Sequence, residues 1–154
     1  ARAYAEAFNI PVVTLRYFSV YGPRQRPDMG NFKFIQSLLT DEPVTVFGDG
    51  MQARGNTFVD DCVDATIRSV QAQPGEIFNV GGGEAVNVWD VLASLETIAG
   101  RKVTVRREPA RPGDQQQTRA DTSKIQSVLR WQPLTRFADG IAQQFHWQQL
   151  LAHS

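Results

Sequence analysis

Three stretches of this chain set arginines beside residues that stiffen the backbone. The first is Leu15-Arg16-Tyr17-Phe18-Ser19-Val20-Tyr21-Gly22-Pro23-Arg24-Gln25-Arg26-Pro27-Asp28-Met29. The second is Gly48-Asp49-Gly50-Met51-Gln52-Ala53-Arg54, and the third is Arg111-Pro112-Gly113-Asp114. A guanidinium is a planar fork that binds phosphate oxygens bidentately, and a carboxylate next to it can take a ribose diol. The first stretch adds aromatic faces and a hydroxyl, and it directly follows an apolar strand, where ligands of open α/β sheets bind. Surface ion pairing explains any one of these arginines. Three such loops together point to a ligand carrying a diphosphate.

Other reactive residue types read more plainly. Gly81-Gly82-Gly83 invites a dinucleotide fingerprint, but Val86 stands where the third Gly or Ala belongs. No acid follows at about 20 positions to hold a ribose, because that region runs from Arg101 to Arg107. The glycines therefore read as a turn that lets the chain approach another part of the fold. His146 and His153 fall on the terminal helix and tail, away from the three loops. Cys62 reads as a small buried hydrophobe whose neighbouring acids would raise its pKa. Asp60, Asp61 and Asp64 could suggest a cation site, and helix-start acids on a solvated face explain them as well.

The elements that must position these loops follow from periodicity and punctuation. Residues 1–8 predict a helix, with Tyr4 and Phe8 on one stripe, and Pro11 to Leu15 a strand buried on both faces. Helices are expected over 32–39, from Asp60 to Val70, from an Asn87 cap through Ile98, after Asp121 or Thr122, and over 136–151. Asp90 sits in a capping-box position behind Asn87, and Gly100 marks the stop. Strands are expected at 44–47, 57–59, 77–80 and 103–105. Strands alternating with helices give an α/β fold. With 154 residues, 42% apolar and 21% charged, the chain has the balance of one globular domain, two at most. Its net charge is zero, which offers polyanions and membrane surfaces no field. A single cysteine leaves no disulfide framework and no zinc cluster, in keeping with a soluble, cytoplasmic setting.

Taken together, the chain resembles the C-terminal half of the NAD-dependent nucleotide-sugar epimerases and dehydratases, the extended short-chain dehydrogenase/reductase family. The matching stretches are residues 15–29, Val-Phe-Gly-Asp-Gly at 46–50, Phe-Val-Asp-Asp at 58–61, Phe-Asn-Val-Gly-Gly-Gly at 78–83, Arg-Pro-Gly-Asp at 111–114 and Ala-Asp-Thr-Ser-Lys at 120–124. They occur in the family's order and span essentially the whole chain. The resemblance implies the substrate-binding lobe of an extended Rossmann-type fold, with residues 1–20 a remnant of the NAD-binding lobe and 21–154 mainly substrate lobe. It implies NAD as cofactor, a UDP-sugar as substrate, no nucleic-acid, membrane or metal partner, and a homodimeric parent enzyme.

Position by position, the resemblance sets Phe18 against the nicotinamide ring and Ser19 against the sugar. Asn31 and Phe32 would line the sugar and ribose, and Thr45, Val46 and Phe47 the uracil. Arg54 and Arg111 would grip the diphosphate, Asp114 the ribose, and Thr118 a further part of the substrate. The run from Ser19 to Met29 looks most like UDP-glucuronate 4-epimerases, in which the hydroxyl at 19 and Arg26 hold the hexuronate carboxylate. UDP-glucose 4-epimerases share similar stretches, whereas the first loop does not resemble that of the dehydratases. Where the family commonly reads Arg-Asp-Phe-Thr-Tyr-Val-Asp-Asp, this chain has Arg54-Gly55-Asn56-Thr57-Phe58-Val59-Asp60-Asp61. The family's Gly-rich NAD loop and its Tyr-x-x-x-Lys pair are not found: four residues after Tyr4, Tyr17 and Tyr21 stand Phe8, Tyr21 and Gln25. No catalytic residue is thus expected in this chain, which by itself would bind without turnover. The alternatives are a free-standing, non-catalytic nucleotide-sugar-binding module, or another reaction of the family such as that of a dehydratase.

Overall fold

A computed structural model describes residues 2–113 and 115–152. In chain order the elements are α1 (Arg2–Phe8), β1 (Thr14–Tyr17), β2 (Val20–Tyr21), α2 (Gly30–Leu39), β3 (Val44–Phe47), β4 (Ala53–Gly55), β5 (Thr57–Phe58) and α3 (Val59–Ser69). They continue with β6 (Ile77–Val80), β7 (Ala85–Val86), α4 (Val88–Ala99), β8 (Val105–Glu108), β9 (Gln117–Thr118), α5 (Ser123–Leu129) and α6 (Phe137–Ala152). The fold is mixed α/β, and its pairings are parallel for β1–β6, β2–β5, β3–β8 and β4–β9, with β4–β7 antiparallel. No helix among the described residues is long and apolar enough to cross a membrane.

Local sequence explains most element ends. The Asn87 side chain accepts from Asp90 N–H at 2.9 Å, the Asp90 carboxylate accepts from Asn87 N–H at 3.1 Å, and Gly100 closes α4 at φ 67°. Thr122 is the N-cap of α5, and it is the Asp121 carboxylate beside it that accepts from Ser123 N–H, at 3.0 Å. Strand β1 begins later than expected. Pro11 has no N–H to donate, so the ladder to the β6 side starts with the Val12 carbonyl and Thr14 N–H. Nor is β1 buried on both faces: it has one partner strand, and Arg16 and Tyr17 are exposed. Strand β8 likewise lies beyond the expected 103–105, because pairing with β3 carries it through Arg106, Arg107 and Glu108.

Two larger clusters form the core. In one, α2, α4 and α6 pack Ile35, Leu38, Val91, Leu95, Phe137, Ile141 and Phe145 around Tyr21 and Phe58. Gly140 makes this possible, since a Cβ there would collide with the Tyr21 hydroxyl and stand 2.7 Å from the Phe58 ring. In the other, Cys62 and Ala65 of α3 and Ile125 of α5 cover Phe78 and Val80 of β6, with Trp131 beneath. Asp61 corrects the expectation of a solvated acidic face. It is buried, and its carboxylate accepts from Leu134 N–H at 3.2 Å and Thr135 N–H at 3.1 Å, while its carbonyl accepts from Trp131 Nε1 at 3.0 Å. The triple glycine is a close approach, as read: a Cβ on Gly83 would overlap the Asn56 carbonyl, and one on Gly81 would press on Phe18 at 3.2 Å.

Candidate functional site

Three adjoining hollows make one groove. The first, of about 380 Å³, is lined by Phe18, Val20, Tyr21, Arg24, Gln25, Arg26, Met29 and Val59. It shares Val20, Gln25 and Met29 with a middle hollow of about 280 Å³ that adds Ser19, Asn31, Arg54 and Asn56. Gly30, Phe34, Gln52 and Val88 then pass into a third, of about 830 Å³, with Phe32, Thr45, Val46, Phe47, Arg106 and Arg111. Ten of the twelve residues singled out from the sequence thus line a single groove. Thr118 pairs in register with Arg54 but turns its hydroxyl to Gln115 at 3.0 Å, outside the hollows. Asp114 lies outside the described residues.

Each side chain has a physical reason for its place. Phe18 is held as its N–H donates to the Val80 carbonyl at 2.9 Å, extending the β1–β6 ladder past Tyr17. The Ser19 carbonyl accepts from Thr57 N–H at 2.9 Å, so the hydroxyl is carried at the end of a fixed backbone. Asn31 is buried in the first turn of α2. Arg26 is exposed and holds Asp28 bidentately, at 3.0 Å from Nε and 2.7 Å from Nη2. That hydrogen bonding keeps the Asp28 carboxyl below the usual carboxylate range.

The wide end of the groove is built on β3. Val44 and Gly48 give their N–H groups to Thr104 and Glu108 on the β8 side, at 2.8 and 2.9 Å. Alternation along the strand therefore turns the N–H and C=O groups of Thr45 and Phe47 to the other edge. There the Phe47 carbonyl accepts from Gln52 Nε2 at 3.2 Å. The Arg111 guanidinium stacks on the Phe47 ring, 3.6 Å from its centroid, and Arg106 donates to the Thr45 hydroxyl at 3.1 Å. Arg54, on β4, donates to the Ala53 and Gln115 carbonyls, at 3.2 and 2.5 Å. Val46 is the exception among the strand residues, because its side chain is buried beside Val44 and Leu92 in the core. The arrangement offers a planar group a strand edge, and it offers an anion guanidinium groups in two adjoining hollows, Arg54 in the middle one and Arg106 and Arg111 in the third.

The family model described as the NAD dependent epimerase/dehydratase family matches residues 1–81, more than half of the chain. The chain belongs to that family. It is 43% identical over 141 residues to the uncharacterized UDP-glucose epimerase YtcB of Bacillus subtilis, covering 90% of this chain and 44% of that protein. It is 34% identical over 145 residues to the UDP-glucuronate 4-epimerase of Thermodesulfobacterium geofontis, covering 94% and 45%. The UDP-glucuronic acid 4-epimerase of Bacillus cereus, solved with UDP-glucuronic acid and NAD, superposes with a TM-score of 0.91 at 39% identity, covering 97% of this chain and 49% of that one. The chain thus spans about half the length of the relatives it matches.

The family is NAD-dependent, and this chain offers one place that fits an end of that cofactor. Phe18, Val20, Met29 and Val59 give the first hollow apolar walls suited to a flat ring. Among the groove residues that carried no role in the sequence reading are Gln25, Gln52 and Arg106. Gln25 stood inside a motif, yet an uncharged amide gives no signal until its partners are known. Arg106 lay in a run of basic residues read only as lacking an acid.

Proposed function

We propose that this chain forms the UDP-sugar-binding part of an NAD-dependent UDP-sugar 4-epimerase, with UDP-glucuronate the substrate and UDP-glucose the runner-up. The observation that carries this reading is the order of chemistries along one groove. An apolar wall with Arg26 comes first, then Ser19, Asn31 and Arg54, then an open strand edge with Phe32, Phe47 and Arg111. A nicotinamide ring, a sugar, a diphosphate and a uracil follow the same sequence in a bound pair of cofactor and UDP-sugar. Residues 1–20 would belong to the NAD lobe and 21–154 to the substrate lobe.

In this reading Thr45 and Phe47 meet the base through the backbone groups they turn away from β8, the Phe47 carbonyl exchanging Gln52 for the base, and Val46 supports them from the core. Asn31 and Phe32 line the sugar and ribose. Arg54 and Arg111 neutralise the diphosphate, Asp114 takes the ribose diol, and Thr118, outside the hollows, backs Arg54 as its partner in the strand ladder. The Ser19 hydroxyl and Arg26 hold the hexuronate carboxylate, which replaces Asp28 on the Arg26 fork. Phe18 backs the nicotinamide. NAD, when bound, supplies reversible hydride exchange at the sugar's C4. The residues of this chain supply grip and orientation, the positioning share of catalysis. No Tyr-x-x-x-Lys pair is present among the 154 residues, so by themselves they bind without turnover.

Titration calorimetry tests the assignment. Arg26→Ala is expected to weaken UDP-glucuronate about tenfold and UDP-glucose less than about twofold, the loss of one charge-assisted pair. Equal losses on both sugars remove Arg26 from the carboxylate. The absent Tyr-x-x-x-Lys pair favours a second reading, a binding module without chemistry. The coding sequence upstream of the Ala1 codon separates the two. An open frame encoding a Gly-rich loop and that pair supports the epimerase, and a start codon there supports the module.

A further inference from the structure

Helix α6 reaches the first groove loop through buried amides that no ligand contact proposed above uses. Gln144 is wholly buried among the aromatic and aliphatic side chains of the main core. Its Oε1 accepts from Gly22 N–H at 2.9 Å, and its Nε2 donates to Gln25 Oε1 at 2.9 Å and to Gln148 Oε1 at 3.2 Å. Gln25 Oε1 also accepts from Phe32 N–H at 3.1 Å, while Gln25 Nε2 donates to the Val20 carbonyl at 2.9 Å. Gln148 Nε2 donates to the Phe32 carbonyl at 3.2 Å. Two successive turns of α6 therefore hold the loop at both ends, and the segment between carries Arg26 and Asn31.

A leucine at position 144 would suit this core without needing a hydrogen bond. A buried amide costs desolvation, and here each of its polar atoms is spent on the loop or on the next glutamine. Phe32 N–H is one of the donors that the start of a helix leaves without an intrahelical partner, and Gln25 satisfies it. None of the three glutamines bonds to Thr45, Phe47 or Arg111, and Ile35 and Leu38 seat α2 in the core independently.

We propose that Gln144 is a positioning residue for the sugar end of the groove: through Gly22 and Gln25 it sets the loop that presents Arg26 and Asn31, while at the base end the relay reaches Phe32 but not Thr45, Phe47 or Arg111. The proposal rests on the UDP-sugar reading of the groove. The test is titration of UDP-glucuronate and of UMP into the intact protein and its Gln144→Met variant, which keeps side-chain length and removes the amide. UDP-glucuronate is expected to weaken about tenfold and UMP no more than about threefold, since of the contacts proposed for UMP the relay carries only Phe32. Hydrogen exchange is expected to quicken at Gly22 and Phe32 while the amides of α4 keep their rates. Should Gln144→Met fail to fold, Gln25→Met cuts the same relay at a half-buried position and carries the same expectation. Equal weakening of both ligands, or unchanged UDP-glucuronate affinity, overturns the positioning role. If the unmodified protein binds neither ligand, the UDP-sugar reading falls and the proposal with it.

Discussion

The two ends of the groove are held by opposite means. At the end proposed for the sugar, the loop after β2 hangs from the buried amides of Gln144 and Gln148 and the half-buried amide of Gln25, and Tyr21 and Gly140 pack tightly beneath it. At the base end, exposed cations reach over the strand: Arg111 lies on Phe47 and Arg106 on Thr45. Buried hydrogen bonds fix geometry and are costly to leave unmade. Exposed cationic contacts are worth about 1 kcal/mol or less, so such a side chain can exchange its protein partner for a ligand at small cost. One end is therefore built for shape, the other for capture, and substitutions should separate the two.

The largest effect is expected at the root of the sugar end. Gly140→Val drives two extra methyl groups and a Cβ into Tyr21 and Phe58, and is expected to lose about 3 kcal/mol or more in urea unfolding. A loss under about 1 kcal/mol would mean that this contact has slack and that the sugar end is not shape-fixed from below. Arg111→Ala probes the other end. It is expected to change stability by less than about 0.5 kcal/mol while weakening UDP about tenfold or more, read by urea unfolding and calorimetry. A stability loss matching the binding loss would erase the contrast.

A buried group outside the groove follows the same rule. Desolvation, with Asp61 adding to it, pushes the Cys62 thiol up from 9.0 to about 12. The folded state thus prefers the protonated thiol. Its contribution to stability is complete below pH 9 and is lost as pH rises towards about 12. Iodoacetamide at pH 8 should leave Cys62 unmodified in the folded protein and alkylate it in urea. Rapid labelling without urea would contradict the packing described for α3. The smallest effect is expected at Asp28. Asp28→Asn frees Arg26 from an exposed pair and should tighten UDP-glucuronate about threefold with UDP-glucose unchanged, measured side by side by calorimetry.

The same contrast governs what could be read from the sequence. Helix α4 was legible almost to the residue, because Asn87, Asp90 and Gly100 are local signals that act locally. The arginine loops were legible as neighbours, since Arg26, Arg54 and Arg111 all line the groove, although Arg26 and Arg111 are exposed rather than fixed by the Gly and Pro beside them. Strand β1 was shifted because the sequence shows Pro11 but not where a partner strand begins. Strands β4, β7 and β9 were not expected at all. Each has two or three residues, and each exists only because distant segments at 53–55, 85–86 and 117–118 meet. Asp61 looked like a helix-start acid, and only the return of the chain at Leu134 and Thr135 makes it an anchor. The Gln25–Gln144 bond joins residues 119 positions apart with uncharged groups, which neither periodicity nor charge can announce.

The proposed direction of a UDP-sugar along the groove can be traced by amide chemical-shift mapping of the intact protein with UDP. The expected result is a continuous set of perturbed amides at Thr45, Phe47, Arg54 and Arg111, fading through Asn31 and Ser19 towards Phe18. Perturbations centred instead on the exposed face of α1 and α3, around Tyr4, Phe8, Ile67 and Val70, would contradict the account, as would a spectrum that UDP leaves unchanged.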